Sequence, residues 1–120
     1  MIDKISISTK LQLIQDTWSP KIISELNGQY IKLAKLEGEL VWHNHEQEDE
    51  LFIVLEGELI MQFRENSVHL TPGEMIIVPK GVDHSPKTDT GASVLLFEPV
   101  STKHTGAVMT NRTVSRQDWI

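Results

Sequence analysis

The chain contains no cysteine. Disulfides, thiolate metal sites and a cysteine nucleophile are therefore excluded, and any metal has to be held by imidazole and carboxylate. Positive charge is also scarce, with 11 Lys plus Arg against 17 Asp plus Glu and a formal charge of -6. Nucleic acid and anionic membranes both select a basic face, so neither is expected as a partner. Long apolar runs are missing too. The opening "MIDKISISTK" is too polar for a signal peptide or a membrane span, which makes a cytoplasmic location the default expectation. Neither a Gly-rich phosphate loop nor a Ser-His-Asp order is found.

What remains is a chain of 120 residues, 39% apolar and 23% charged, the profile of one globular domain over 1–120. Turn signals are frequent: "NG" at 27–28, "EG" at 37–38 and 56–57, "EN" at 65–66, "PG" at 72–73, "PKG" at 79–81 and "DTG" at 89–91. Between them lie "KIISEL", "QYIKLAKL", "LVWHNH", "ELFIVL", "LIMQFR", "VHL", "MIIV" and "SVLLFEP". Many short β-rich stretches at this spacing predict an all-β sandwich or barrel, with its core over about 20–100. One short helix is expected near Lys10–Asp16, capped by Ser8 or Thr9 and closed before Ser19–Pro20. The polar tail from Ser101 is expected to wrap the surface.

Two hairpins can be drawn. Asn27–Gly28 is a strong two-residue turn signal, and Glu56–Gly57 is a weaker one. A two-residue loop at Glu56–Gly57 sets Val54 opposite Leu59, Phe52 opposite Met61 and Glu50 opposite Phe63. Side chains alternate along a strand, so Glu50, Phe52, Val54, Leu59, Met61 and Phe63 share an inner face. Phe52, Val54, Leu59, Met61 and Phe63 are the expected walls of a small-molecule pocket. The outer face carries Leu51, Ile53, Leu55 and Ile60, an apolar patch that predicts a homodimer unless Ile2–Ile7 or the tail covers it.

The chemistry concentrates in "HNHEQEDELFIVLEGEL", 43–59. His43 and His45, two apart, present both imidazoles on one face of a strand. Glu50 opens the inner face just after an acidic loop (Glu46, Glu48, Asp49) that reads as solvated. Two neutral nitrogens and one oxygen suit a borderline divalent ion such as Fe, Mn, Co, Ni, Cu or Zn.

Further on stands "PGEMIIVPKGVDHSP", 72–86. Gly38, His43, His45, Glu50 and Gly57 resemble the first signature of the cupin superfamily, and Gly73, Pro79, Gly81 and His84 resemble the second. The short gap from Gly57 to Gly73 is similar to that of small single-domain bacterial cupins. The gap from Gly38 to His43 is one residue shorter than usual, and Thr88 stands where the family often has Asn. The resemblance implies a double-stranded β-helix, or jelly roll, with one divalent transition metal inside the barrel. It also implies the ligands His43, His45, Glu50 and His84. The glycines and Pro79 then serve turns.

A cupin fold and metal site host many chemistries. The leading expectation is a small metalloenzyme of oxygenase, isomerase or decarboxylase type acting on a small polar organic molecule. The alternative is a non-catalytic binding or sensing protein with a structural metal. No catalytic acid or base beyond the ligands is evident in the sequence. His69 is expected to point outward or to be a satisfied core residue, and His104 to be solvated. Trp18 and Trp42 are expected to serve packing. Tyr30, Lys21 and Arg64 cannot be oriented from the sequence.

Overall fold

Asn27 and Gly28 take φ of 51° and 77°, the left-handed pair that a two-residue hairpin turn requires. They close strand β1 (Lys21–Leu26) onto β2 (Gln29–Glu39), with Leu26 opposite Gln29. The structure is a computed structural model that describes residues 2–103, 105–106 and 117–120. Five more strands follow: β3 (Glu50–Gly57), β4 (Leu59–Phe63), β5 (Ser67–Leu70), β6 (Met75–Val78) and β7 (His84–Pro99). The main sheet runs β1-β2-β7-β3-β6, while β4 pairs with β5 and β7. All of these pairings are antiparallel. The sheet folds over along β7 into the expected all-β jelly roll.

The 16-residue β7 is the hinge of this fold. Its second half pairs with β3 (Leu51 opposite Phe97) and its first half with β4 (Phe63 opposite His84). The hairpin expected at Glu56–Gly57 is therefore absent. β3 and β4 run on consecutively along β7, and Phe52 pairs with Ile76 and Leu96 rather than Met61. The physical reason lies at Gly57, which has φ 75° and packs so closely on Gly91 that a Cβ would lie 2.0 Å from the Gly91 oxygen. Only glycine permits that backbone approach. The inner face survives the correction. A register slip between Val54 and Glu56 restores the phase, so Phe52, Val54, Leu59 and Met61 all join one buried core with Leu36, Leu70, Val78, Val94 and Leu96.

Three other expectations change. The stretch "LVWHNH" forms no ladder and contributes one isolated bridge, His43 to His84. β7 begins at His84 rather than Ser93, and "DTG" at 89–91 is a bulge within it. Leu36 pairs with Ala92 and Gly38 with Thr88, which leaves Glu37 opposite three residues. The helix α1 spans Ile7–Gln12, earlier than expected, because Ser6 is the cap: its extended backbone lets Oγ accept from the Thr9 amide.

Leu11 and Ile14 form a second cluster with Ile23 and Leu33, against which Leu55 and Ile120 pack. This cluster thus covers Leu55, and Ile60 lies on β4 in the other half of the fold. The four-residue outer patch is not contiguous. Leu51 and Ile53 instead have Ile77 and Met75 of β6 beside them and Phe97 and Leu95 of β7 on the other flank. Met75 and Ile77 are 54% and 53% exposed. No described helix is long and apolar enough to cross a membrane.

Candidate metal centre

His43 and His84 are joined by their main chains. The His43 amide donates to the His84 carbonyl (3.0 Å) and the His84 amide to the His43 carbonyl (2.9 Å). This brings the two rings to 4.4 Å between centroids, with His45 at 5.1 Å from His43 and 5.7 Å from His84. One ligand atom of each lies within 4.8 Å of the others, so the three buried histidines can hold a metal ion. Glu50, the first residue of β3, approaches with Oε1 at 3.3 Å from His45 Nε2 and 3.6 Å from His84 Nε2. Ligands bound at about 2.1 Å and at right angles around one ion lie about 3 Å apart, close to these separations.

Local contacts set the tautomers. His43 Nδ1 lies 2.8 Å from the Val41 carbonyl and His84 Nδ1 2.9 Å from that of Val82. A carbonyl only accepts, so each Nδ1 carries the proton and each Nε2 offers a lone pair to the centre. His84 Nε2, both His45 ring nitrogens and Glu50 Oε1 are buried with no hydrogen-bond partner among the described residues. Orphaned polar atoms are costly, and an ion placed among them satisfies them together.

Electrostatics agree with that donor set. Burial pushes His43 down to about 4, with the neighbouring His84 adding to the effect, so its imidazole is neutral and able to ligate at ordinary pH. Burial alone would raise Glu50, but the adjacent side chains of Glu98, His45 and His84 overcome it and hold that carboxyl well below the usual range.

A small cavity of about 30 Å³ adjoins the centre. His43, Glu50 and Glu98 supply its polar atoms, and Trp18, Leu40, Phe52 and Leu96 are among its apolar walls. Of the expected pocket walls, Phe52 lines this cavity. Val54, Leu59 and Met61 are wholly buried in the core, and Phe63 lines a separate concavity with Arg64 and Asp83. Trp18, at φ 55°, is buried with its Nε1 donating to the Glu37 carbonyl at 2.6 Å. Trp42 carries Arg64 over its ring at 4.0 Å. Tyr30 meets Trp119 edge to face, and Lys21 pairs with Asp16. His69 is exposed, as are Glu46 and Asp49, and Glu48 is half-buried. Asp49 also accepts from the Lys80 amide. His104 lies outside the described residues.

Sequence reasoning missed Glu98 and Lys32. Lys32 Nζ lies 2.6 Å from Glu98 Oε1, and both side chains are buried. Burial and the adjacent Glu50 raise the Glu98 carboxyl well above the usual range, against the opposing pull of Lys32. A signal was present: Lys32 shares the phase of Ala34 and Leu36, and Glu98 that of Val94 and Leu96. A charge in the inward phase of an apolar strand is costly unless it is paired.

The family model of the cupin domain matches residues 29–100. A cupin-2 domain protein of Shewanella frigidimarina is 43% identical with a TM-score of 0.78, covering 79% of this chain and 93% of that one. Protein NMB1881 of Neisseria meningitidis is 34% identical with a TM-score of 0.75, covering 81% and 99%. The uncharacterized protein YdbB of Bacillus subtilis is 44% identical over 63 residues, 52% of this chain, and the match spans only 56% of that protein's length. The chain belongs to the cupin family, and in its barrel lies a three-histidine cluster able to hold a metal ion.

Proposed function

We propose that the chain binds one divalent transition-metal ion through His43, His45, Glu50 and His84 and acts as a small metalloenzyme on an organic molecule that binds at the adjoining cavity. The observation that carries this reading is the convergence of buried, unpartnered His45, His84 and Glu50 atoms on one point. An ion held there supplies Lewis-acid or dioxygen-binding chemistry. The residues themselves do the rest. Val41 and Val82 carbonyls orient His43 and His84, the depressed Glu50 carboxyl remains an anion, and apolar walls exclude water. Glu98, a carboxyl outside the ligand set, opens on the same cavity, and a group able to hold or pass a proton beside the centre is what catalysis needs over mere binding.

The test is metal analysis of the native full-length chain, followed by a small-molecule screen read by oxygen consumption and product formation. About one ion per chain with turnover supports the reading. Metal with no turnover across the screen points to a binding or sensing protein, and no metal rejects the site.

We also infer a two-fold homodimer. It is supported by the outward row Phe97–Leu51–Ile77 and the Ile53–Met75 pair beside it, which end at the edge strand β6. A self-complementary apolar patch is suited to a second copy of itself.

A further inference from the structure

Three charged side chains lie in a line across the inner face of three neighbouring strands. The register that sets Leu51 of β3 opposite Phe97 of β7 puts Glu50 beside Glu98. On the other flank of β7, Tyr30 is opposite Glu98 and Lys32 opposite Leu96, so Lys32 is the diagonal neighbour of Glu98, within reach of a long side chain. All three residues are buried. Lys32 Nζ meets Glu98 Oε1 at 2.6 Å. At the far end, Glu50 turns Oε1 toward His45 and His84, at 3.3 and 3.6 Å. The line therefore starts at Lys32, passes through Glu98 and Glu50, and ends on the candidate metal centre.

A buried ion pair is no more stabilising than well-packed apolar residues of the same size. Stability therefore gives no reason for Lys32 and Glu98 to stand here, whereas their contact with Glu50 does. Two carboxylates side by side repel, and one proton held between them turns that repulsion into a strong hydrogen bond. Glu98 then accepts from Lys32 through Oε1 and donates to Glu50 through Oε2, an atom that meets no N–H donor among the described residues. Glu50 is left as the anion, with Oε1 aimed at the histidines. Outer partners of this kind fix the orientation of a ligand and raise affinity for the ion. We propose that Glu98, anchored by Lys32, is a positioning residue that holds Glu50 in the orientation a divalent transition-metal ion requires. The proposal rests on the four-ligand centre proposed above.

The test uses the full chain, with zinc to measure affinity and cobalt(II) to report ligand geometry through its visible spectrum. Glutamine at 98 keeps both links, because its carbonyl accepts from Lys32 and its amide donates to Glu50. Glu98→Gln should therefore bind zinc within about threefold of wild type and keep the cobalt spectrum. Lys32→Met/Glu98→Leu removes both links without leaving one charge buried alone. It should bind zinc about 10–100-fold more weakly and shift the cobalt spectrum. Wild-type affinity and spectrum in the double variant overturn the proposal, as does a Glu98→Gln variant as weak as the double variant. The metal-free chain gives an independent reading. Glu50→Gln and Lys32→Met/Glu98→Leu should be coupled, so that together they shift the folding equilibrium by a factor at least about tenfold away from the product of their separate effects. Additive effects overturn the proposal whether or not metal binds. Coupling in a chain that takes up no zinc supports Glu98 as the residue that holds Glu50 and rejects the metal centre instead.

Discussion

The backbones of His43 and His84, far apart in sequence, exchange two hydrogen bonds of 3.0 and 2.9 Å. Because the link is main chain to main chain, it survives loss of either side chain. It separates the integrity of the barrel from the occupancy of the site.

Replacing His84 with Ala should therefore leave metal-free stability within about 1 kcal/mol of wild type, since the cavity created is offset by removal of an orphaned nitrogen. Metal affinity should fall by at least about 100-fold, more than the loss of an outer-shell partner. His45→Ala should behave alike. Metal analysis after dialysis checks both, and full occupancy in either variant would reject the ligand assignment.

The pH dependence of the metal-free chain should carry the mark of His43. Its value is about 4 when folded against 6.5 as a free side chain. Between those values the unfolded chain binds a proton there and the folded chain does not, so this contribution to stability falls as pH falls, by roughly 1.4 kcal/mol per pH unit. Glu98 has the opposite sign. Its raised carboxyl takes a proton in the folded state first, and stability tied to it grows as pH drops. Urea unfolding of wild type and His43→Ala at pH 6.5 and 4.5 separates the two. The wild type should lose more stability than the variant over that window, and equal losses would contradict a depressed His43.

Gly57→Ala tests the crossing. The added Cβ would meet the Gly91 oxygen at 2.0 Å, whereas at Gly28, with a similar positive φ, nothing lies within 4 Å. Gly28→Ala should cost about 1 kcal/mol for its left-handed backbone alone, and Gly57→Ala at least about 3 kcal/mol. Thermal unfolding of the two variants side by side gives the comparison. Similar losses would mean that the two glycines do not meet.

Removing Glu98 alone should leave Lys32 buried and unpaired, costing about 3–5 kcal/mol, while Lys32→Met/Glu98→Leu should lie within about 2 kcal/mol of wild type. A double-mutant cycle by chemical denaturation shows whether the losses are coupled. Additive losses would mean that the pair is not an ion pair in solution.

Light scattering on a size-exclusion column should give about twice 13.6 kDa, and Ile77→Lys, at the exposed end of the outer row, should halve that mass. A wild-type mass of one chain at micromolar concentration would show that the row stays open to solvent.

The strands and the histidine pattern were legible in the sequence because local periodicity determines them. Alternation placed Phe52, Val54, Leu59 and Met61 inward, and Asn27–Gly28 set its own turn through two positive φ angles. His-x-His spacing and its likeness to cupin signatures marked the centre before any fold was known. Beyond that first hairpin, the sequence alone determined neither which strands pair nor what joins them. Glu56–Gly57 looks like a hairpin because a two-residue turn and a register slip give the same side-chain phase, and only the contact of Gly57 with Gly91 distinguishes them. Lys32 and Glu98 were missed because each is costly inside unless the other is present. Their partnership spans β2 and β7 and exists only once those strands lie side by side, so it was tertiary structure that decided it.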